Sequence, residues 1–505
     1  MANAFLQIEF RLHCFVGLVH CNTLMTMKSR LVALLVLLGL SVSAFAAKPS
    51  RSAGSRLPNI VLVMADDQGW GDMGYYGHPH LKTPNFDKAA ATGLRFDRFY
   101  AAAPVCSPTR ASVMTGRHPN RMGVFKWGHP MRPQEITLAE ALKTAGYTTG
   151  HFGKWHLGSV RNGSPASPGA NGFDEWYSAE NFYDNDSILS RKGTAVPGKG
   201  ESSFIAVDAA LDWMKGALKK EAPLFTVVWF GSPHSPHRAV DEDRAHYKDH
   251  PEKLQHFYGE ITGMDRAFGK LRDSLTDLGI RENTILWYCS DNGALPRIGA
   301  TGGHRGWKGK VYEGGLLVPA ILEWPARIKQ HRKTDMRCNT CDIYPTLLDI
   351  AGVKMPNQRP LDGRSLVSLI DSRKMSKNRS MGFWDAPFKG IGTASDRWMK
   401  ELYDAQQKGG DLAPQEHSLN AAKLPNPKHP LDSFPGHSAW IDGHWKLHRI
   451  QDKNDKIKWE LYNLGDDPKE TRDLASDNEK RVKQMGRKLN AWLKSVAQSL
   501  NGEDY

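Results

Sequence analysis

Three continuous apolar runs in this chain each end abruptly in polar residues. The runs cover residues 59–64, 224–230 and 284–289. A continuous apolar run is typical of a strand that is buried on both faces. Segments with helical periodicity alternate with these runs, at 138–145, 206–218 and 254–278. We therefore predict an α/β fold, with a large mixed and mostly parallel sheet sandwiched by helices.

Acidic, amide and imidazole side chains follow the three runs directly. Asp66 and Asp67 come after the first run, His234 after the second, and Asp291 and Asn292 after the third. In open α/β sheets, ligands bind beyond the carboxyl ends of the strands. Hard oxygen donors suit Ca²⁺ or Mg²⁺ better than Zn²⁺. The pattern predicts one divalent-cation site, although each pair taken alone is more often a helix cap or a turn.

The run from Cys106 to Arg110 combines a thiol, a proline and an arginine at the predicted start of a helix. Proline is tolerated in the first helical turn, where its missing N–H is not needed. Arg110 lies four residues beyond Cys106, which places its guanidinium on the same helix face, near an N-terminus that favours anions. The pattern indicates a nucleophile beside an anion site. A buried structural cysteine is the alternative.

A lysine and a histidine follow a strand-like segment at 147–152. In extended backbone, the spacing of Lys154 and His156 puts both side chains on one face. Isolated residues of these types usually lie on the surface. Their position after a strand makes them candidates for the same sheet edge as the acids.

Two of these segments carry a resemblance to a known family. The C-x-P-x-R pattern at Cys106, within residues 103–117, and the run Gly153-Lys154-Trp155-His156-Leu157-Gly158 resemble the two signatures of the type I sulfatases. These formylglycine-dependent enzymes belong to the alkaline phosphatase superfamily and include arylsulfatases and N-acetylgalactosamine-6-sulfatases. The likeness covers most of the chain from Pro58 to the 466–470 region.

The resemblance implies a modified nucleophile and a metal. A formylglycine-generating enzyme would convert Cys106 to 3-oxoalanine (formylglycine), and the hydrated aldehyde would supply the attacking hydroxyl group. One Ca²⁺ or Mg²⁺ would be held by the residues that match the family's ligand positions: Asp66, Asp67, Cys106, Asp291 and Asn292.

The family pattern also assigns roles to the basic residues. Arg110 would be catalytic and would hold the sulfate oxygens, and His156 would remove a proton from the formylglycine diol. Lys154, His234 and Lys308 would bind the sulfate, and the last two would help to protonate the leaving alcohol. His237 remains open beside His234. Ser178 matches a substrate-binding serine only loosely, and an ordinary loop serine is the alternative.

The chain divides into three predicted parts. Residues 1–46 form a leader with a secretory signal at 27–46, residues 47–375 form the catalytic domain, and residues 376–505 form an α+β subdomain on an antiparallel sheet. The leader predicts export to the periplasm or the medium, and its apolar run is too short for a stable membrane span. Residues 387–436 lack clear periodicity and are either an insertion over the site or a mobile loop.

The cysteine content and the net charge limit which ligands and partners the protein can have. Of six cysteines, Cys338 and Cys341 form a C-x-x-C pair that predicts a local disulfide or two free thiols rather than half of a zinc site. The formal net charge of +13 suits polyanions, although it can also serve solubility alone. In an exported protein, sulfated carbohydrates fit this charge better than nucleic acid does.

Two other functions stay open from the sequence. A phosphonate monoester or phosphodiester hydrolase of the same superfamily would use a similar site. A non-catalytic glycan-binding scaffold would keep the fold without the activity, since a fold does not guarantee a function. A hydrolase of this kind would be distinguished by its preference for phosphonate or phosphate esters over sulfate esters. A non-catalytic scaffold would lack some of the residues of the catalytic site.

Overall fold

The computed structural model describes residues 56–373, 375–376, 379–452 and 454–505. The predicted leader, with Cys14 and Cys21, lies outside the described residues. In the described ranges, no helix has both the length and the apolar character needed to cross a membrane.

In the ranges that the structure describes, fifteen strands form two sheets. In chain order they are β1 (Asn59–Ala65), β2 (Leu94–Tyr100), β3 (Thr148–Lys154), β4 (Glu175–Ala179), β5 (Ile188–Arg191), β6 (Thr194–Pro197), β7 (Leu224–Trp229), β8 (Thr284–Ser290), β9 (Leu317–Glu323), β10 (Arg332–Thr334), β11 (Cys338–Asn339), β12 (Ser380–Asp385), β13 (Gly436–Asp442), β14 (Trp445–Gln451) and β15 (Ile457–Asn463).

The helices surround these sheets. They are α1 (Pro84–Thr92), α2 (Cys106–Thr115), α3 (Leu138–Lys143), α4 (Ser202–Ala217), α5 (Asp241–Arg244), α6 (Glu252–Asp277), α7 (Glu313–Leu316), α8 (Ile343–Ala351), α9 (Val367–Ile370), α10 (Ser395–Gln407), α11 (Glu416–Leu419) and α12 (Glu479–Leu500).

The larger sheet has eleven strands and a parallel centre. Its order is β10-β2-β9-β8-β1-β7-β3-β4-β5-β6, and β11 pairs with β2. Strands β8, β1, β7, β3 and β4 run parallel to one another, whereas β9 is antiparallel to both of its neighbours. Every residue of β7 and β8 is buried, as is every residue of β1 except Asn59, which explains their continuous apolar sequence. The predicted mixed, mostly parallel sheet is confirmed.

Helices cover both faces of this sheet. On one face, α1, α4 and α6 contribute Phe86, Met214 and Phe268 to a core with alternate residues of β1 and β7. On the other face, α2, α3 and α8 contribute Val113, Leu142 and other apolar residues. Each fully buried side chain of this size adds about 1.5–3 kcal/mol to the stability of the fold. The predicted helical sandwich is thus the observed one.

The smaller sheet is antiparallel and packs against α12. Its order is β12-β13-β14-β15, with one-to-one register between neighbours. Leu489, Leu493 and Val496 of α12 lie in one apolar cluster with Trp384 of β12 and Phe125 of the larger layer. The predicted antiparallel α+β part is therefore present, and the domain boundary at 375 stays a prediction.

The segment 387–436 contains a helix that the sequence analysis did not predict. Met399 and Leu402 of α10 are fully buried in the core beneath the large sheet, and Tyr403 packs against it. The spacing of these residues is helical, but the surrounding Gly, Pro and Lys residues conceal it. Tertiary burial of one helix face is what stabilises this element.

A buried ionic cluster joins the two sheets. Lys446 of β14 lies 2.8 Å from Glu313 of α7 and 3.0 Å from Glu470, and its side chain is fully buried. Glu470 also accepts from the Glu313 backbone N–H, at 2.7 Å, and lies 2.8 Å from His448 Nε2. Burial alone would lower the pKa of Lys446, but the two carboxylates raise it. The ammonium group therefore stays charged and holds two buried acids.

We predict that Lys446→Met destabilises the protein by about 3–5 kcal/mol, because two buried carboxylates lose their cation. Lys488→Met is the control, since Lys488 pairs with Asp442 at 2.5 Å on the surface and exposed pairs contribute only about 0–1 kcal/mol. Urea unfolding followed by tryptophan fluorescence measures both. Equal losses in the two variants would contradict the prediction.

Candidate active site

Four neighbouring strands bring the predicted acids and bases together. Strands β8, β1, β7 and β3 are parallel neighbours, so their carboxyl ends meet at one edge of the sheet. Asp66 and Asp67 follow β1, Asp291 and Asn292 follow β8, and Lys154 ends β3. The Asp66 N–H donates to the Ser232 carbonyl and the Asp291 N–H to the Ala65 carbonyl, which locks adjacent loops to each other.

Helix α2 carries the thiol to the same edge. It begins at Cys106 and all its residues are buried. The thiol of Cys106 and carboxylate oxygens of Asp66 and Asp291 lie within 4.8 Å of one another. The predicted helix start is confirmed, and Cys106 occupies its first position, where the helix dipole favours negative charge.

Three cationic side chains neutralise the three carboxylates of the cluster. Arg110 donates to Asp291 at 2.7 Å, Lys154 to Asp66 at 2.6 Å and Lys308 to Asp67 at 2.6 Å. The guanidinium of Arg110 also lies 5.0 Å from the centre of the Trp229 ring. Charges taken out of water require partners of this kind, so the ion pairs are a condition for burying the site.

Two oxygen atoms of the cluster accept no hydrogen bond among the described residues. They are Oδ1 of Asp66 and Oδ1 of Asn292, and both are buried. The Asn292 amide donates to Asp67 at 2.9 Å, which orients its free oxygen. Carboxylate oxygens of Asp66 and Asp67 also lie within 4.8 Å of each other and of a His234 ring nitrogen. Oxygen atoms left unpaired in this way are suitable ligands for a hard cation.

The backbone is strained at two positions of the site. Asp67 has φ = 71° and His156 has φ = 54°, in the left-handed region that favours glycine. Such conformations cost roughly 1–3 kcal/mol and persist only where surrounding contacts impose them. The strain turns both side chains toward the sheet edge instead of continuing the strand pattern.

His156 and His234 have different surroundings. Both ring nitrogens of His156 are buried without a hydrogen bond, and burial, with the charge of Lys154, holds its pKa well below the usual range. His234 stacks on Phe182, with ring centres 5.2 Å apart, and its Nε2 lies 3.6 Å from Asp67. Burial lowers the pKa of His234 to about 4. Both imidazoles are therefore neutral bases.

Burial also changes the acids and the thiol. It raises the pKa of Asp291 to about 6, against the effect of Arg110. Burial alone would raise the pKa of Asp67, but the charges of Lys308 and Lys154 hold it well below its usual range. The pKa of the Cys106 thiol is raised by burial. An unmodified thiol here is protonated at neutral pH and is a weak nucleophile.

The loop of Lys308 is tied to both sides of the site. The Lys308 N–H donates to the Ala294 carbonyl at 2.9 Å, and the Gly309 N–H donates to the Pro104 carbonyl at 2.8 Å. Ala294 lies just after Asp291, and Pro104 lies just before Cys106. The position of Lys308 therefore depends on contacts with other loops, which no local sequence pattern predicts.

The structure separates two further candidates from the cluster. His237, which the sequence left open, lies 3.1 Å from Glu260 on α6. Ser178 is fully buried on β4, where its hydroxyl oxygen lies 2.7 Å from Nδ1 of His151. In the described part of the chain, no hydrogen bond links Ser178 to the cluster, so its role as a substrate-binding serine stays a prediction without geometric support.

Sequence reasoning missed the residues that orient the site. Phe182 supports His234, Trp229 supports Arg110, and Ser290 accepts from the Gln68 N–H at 3.1 Å. Trp229 ends an apolar strand, and its position next to a predicted site is the only signal of its role. No sequence signal marks Phe182, because its partner His234 is distant in sequence.

Cys338 and Cys341 are both buried free thiols. This agrees with the alternative of two free thiols and not with the local disulfide. Residues between them hold α2 in place, since Thr340 lies 2.7 Å from Ser112.

Comparisons with known proteins identify the family of this chain. A family model described as Sulfatase matches residues 58–353. N-acetylgalactosamine-6-sulfatase of Rattus norvegicus is 34% identical over 386 residues, which cover 69% of this chain and 70% of that protein. Arylsulfatase A of Homo sapiens is 33% identical over 384 residues, 66% of this chain and 71% of that protein.

A solved structure has the same fold. Ps i-CgsB in complex with k-i-k-neocarrahexaose superposes with a TM-score of 0.73 at 24% identity, covering 88% of this chain and 94% of that one. At this identity, the likeness shows the fold alone. The chain spans 65% to 72% of the length of the curated relatives named here and their close orthologues.

We predict that Gly153→Ala, just before Lys154, destabilises the protein by about 3 kcal/mol or more. Gly153 has φ = 97°, and a Cβ atom there would lie 1.9 Å from the Trp229 carbonyl oxygen. Gly163→Ala is the matched control, because Gly163 has φ = 75° with nothing within 4 Å, and its cost should be only about 1–2 kcal/mol. Urea unfolding midpoints measure the difference, and equal effects would contradict a steric cause.

Proposed function

This chain belongs to the sulfatase family, whose members hydrolyse sulfate esters, and we propose that it acts on sulfated carbohydrates through a formylglycine made from Cys106. The observation that carries the proposal is the buried cluster at one sheet edge, where the start of α2 meets three carboxylates, three cations and two neutral imidazoles. This is the set of groups that sulfate-ester cleavage requires.

The cluster fits a divalent cation. Asp66, Asp67, Asp291 and Asn292 supply oxygen donors, two of them without hydrogen bonds, and the residue at position 106 lies within reach of the acids. Such donors favour Ca²⁺ or Mg²⁺. When bound, the cation would act as a Lewis acid and would favour an ionised hydroxyl group on residue 106.

The balance of charge supports an anionic substrate. The three carboxylates and three cations of the cluster cancel, so a bound divalent cation would leave the site positive. Arg110, Lys154 and Lys308 would then screen the sulfate oxygens. By analogy with oxyanion-hole donors, each such contact contributes about 3–4 kcal/mol to catalysis.

The two histidines divide the proton transfers. His156 is buried, neutral and free of hydrogen bonds, so it can accept a proton from residue 106. His234 is 23% exposed and lies beside Lys308 and Asp67, where a leaving alcohol would depart. Lys308, which carries a positive charge, would therefore protonate the leaving oxygen, and His234 would assist only in its protonated form, which a bound sulfate anion favours.

Formation of the nucleophile requires a partner. The buried thiol of Cys106 is protonated and weakly reactive, whereas a hydrated aldehyde at that position supplies a hydroxyl group for attack at sulfur. Conversion replaces the sulfur by oxygen with loss of two hydrogens, so it needs a maturation enzyme that supplies an oxidant. Because Cys106 is buried in the folded protein, this enzyme would act on the chain before it folds.

Relatives and charge support a carbohydrate substrate. One relative's name specifies a sulfated sugar, and a structural neighbour is in complex with an oligosaccharide. The net charge of +13 favours encounter with polyanionic glycans. We further propose export to the periplasm or the medium, which rests on the predicted signal at 27–46 alone.

We predict that the peptide carrying residue 106, from protein made with a formylglycine-generating enzyme, has the mass of the aldehyde or its hydrate. Cys106→Ala should lower turnover of an aryl sulfate by more than about 10³-fold, since it removes the nucleophile. Cys289→Ala, also buried, is the control and should keep both the modification and the activity. An active protein with an intact thiol would refute the proposed nucleophile.

We also predict that Ca²⁺ raises the unfolding temperature of the purified protein after chelation. At about 100 times the Kd, binding stabilises by about 2.7 kcal/mol. Asp291→Asn should weaken Ca²⁺ binding by about tenfold or more, because it removes a charged oxygen ligand. Asp249→Asn, on the surface, is the control. Isothermal titration calorimetry measures both affinities, and an unchanged affinity in Asp291→Asn would exclude this residue as a ligand.

A further inference from the structure

A cavity of about 380 Å³ has a lining that includes none of the candidate active-site residues, and no role has been assigned to it so far. Its walls come from residues 122–132 and from the segment 388–425, together with Leu500 of α12. The second of these segments includes α11 and the region that the sequence left as an insertion or a loop. The cavity therefore lies outside the central sheet.

Three hydrogen bonds connect residues next to the cavity lining to the loops of the candidate active site. The Gly128 N–H donates to the Ser107 hydroxyl at 2.9 Å, one residue from Cys106. The Met131 N–H donates to the Leu157 carbonyl at 2.9 Å, one residue from His156. On the other side, Ser418 of α11, next to His417 of the lining, accepts from the Ser159 N–H at 2.9 Å. The cavity walls are therefore joined, through the residues adjacent to them, to the loops that carry Cys106 and His156.

An aromatic ledge forms one side of the cavity. Phe125 and Phe388 stack with their ring centres 4.0 Å apart and an angle of 22° between the planes. Phe388 is 44% exposed, although large apolar side chains are normally buried. His129 bridges the two walls, since its ring nitrogens lie 3.3 Å from the Gly123 carbonyl and 2.9 Å from the Lys389 carbonyl. The ledge is therefore held in place while one of its faces remains open.

The charge in the cavity is positive and unbalanced. Arg132, Lys423, His129 and His417 contribute to the lining, and no described residue of the lining is acidic. Arg132 is only 3% exposed, its Nη1 is buried without a hydrogen bond, and no carboxylate in the described part of the chain forms an ion pair with it. Its guanidinium lies 5.6 Å from the centre of the Tyr505 ring, and the nearest acid in the sequence, Glu135, accepts from the Tyr505 hydroxyl and not from Arg132. A buried guanidinium without an acidic partner is costly unless an anion binds it.

We propose that this cavity is a second sugar subsite, which binds a negatively charged ring next to the sulfated ring that is cleaved. The apolar face of the pyranose would pack on Phe388, and its sulfate ester or carboxylate would pair with Arg132 and Lys423. Ligand sites combine these features, an apolar wall and a few convergent polar groups. The inference rests on the proposed function, and it makes the preferred substrate an oligosaccharide with at least two anionic rings.

Binding by the full-length protein with unmodified Cys106 tests the subsite without turnover. The probes are three disaccharides with the same terminal sulfated ring, whose second ring carries a sulfate, a carboxylate or no charge. We expect at least one charged probe to bind about tenfold or more tightly than the neutral one in isothermal titration calorimetry. The stronger of the two charged probes identifies the natural anion.

Variants of lining residues test whether the preference for charged disaccharides arises in this cavity. Arg132→Met and the surface variant Lys423→Ala should each remove most of the preference for charge, and Phe388→Ala should weaken all three disaccharides several-fold. Lys423 and Phe388 are exposed, so these two variants test the subsite even if Arg132→Met fails to fold. Ile457→Ala is the control, because Ile457 is 40% exposed and does not line the cavity. Equal affinity for charged and neutral probes, or a preference unchanged in Lys423→Ala and Phe388→Ala, would overturn the proposal.

Turnover by the mature enzyme separates this inference from the proposed function. The ratio of kcat/KM for the charged disaccharide to kcat/KM for an aryl sulfate should fall about tenfold in Lys423→Ala. No turnover of any sulfate ester by wild-type protein would refute the proposed function, while the binding measurements would still decide on the subsite. Normal turnover with an unchanged ratio would refute the subsite alone.

Discussion

The pairing of three buried carboxylates with three cations, two of them fully buried, is the constraint on which the rest of this structure depends. Charged groups leave water only if each finds a partner, and Arg110, Lys154 and Lys308 supply those partners from three different parts of the chain. The parallel order of β8, β1, β7 and β3 is what brings these parts together. The arrangement is costly to build, and the proposed metal and sulfate site would depend on it.

The smaller sheet extends this constraint instead of forming an independent unit. Its Lys446 holds Glu313, which follows the loop of Lys308, and Glu470 binds the same helix start. The loop that carries a site lysine is therefore anchored by a second buried ionic cluster. Near the cavity, Gly128 and Ser418 of α11 form hydrogen bonds with Ser107 and Ser159, which follow Cys106 and His156 in the chain. The reacting centre and its surroundings thus come from different layers of the fold.

Much of the fold was predictable because its signals are local. Continuous apolar strands, the helix start at Cys106 and the polar residues after each strand all appear in the sequence in order. Helix α10 was missed because only Met399, Leu402 and Tyr403 carry its pattern, and burial against a distant core stabilises it. Phe182 beside His234 involves partners far apart in the chain, and the lack of an ion pair at Arg132 among the described residues follows from tertiary packing, so no local pattern reveals either feature.

The sequence by itself determined the α/β class, the residue types at the sheet edge and the family resemblance that assigns their roles. It does so because periodicity, strand ends and short motifs are properties of neighbouring residues. Only the tertiary structure decided which charges pair, that His237 turns to Glu260, and that Arg132 and Lys423 line one cavity. These features depend on the packing of segments that lie tens to hundreds of residues apart, and electrostatic and steric partners exist only after the chain has folded.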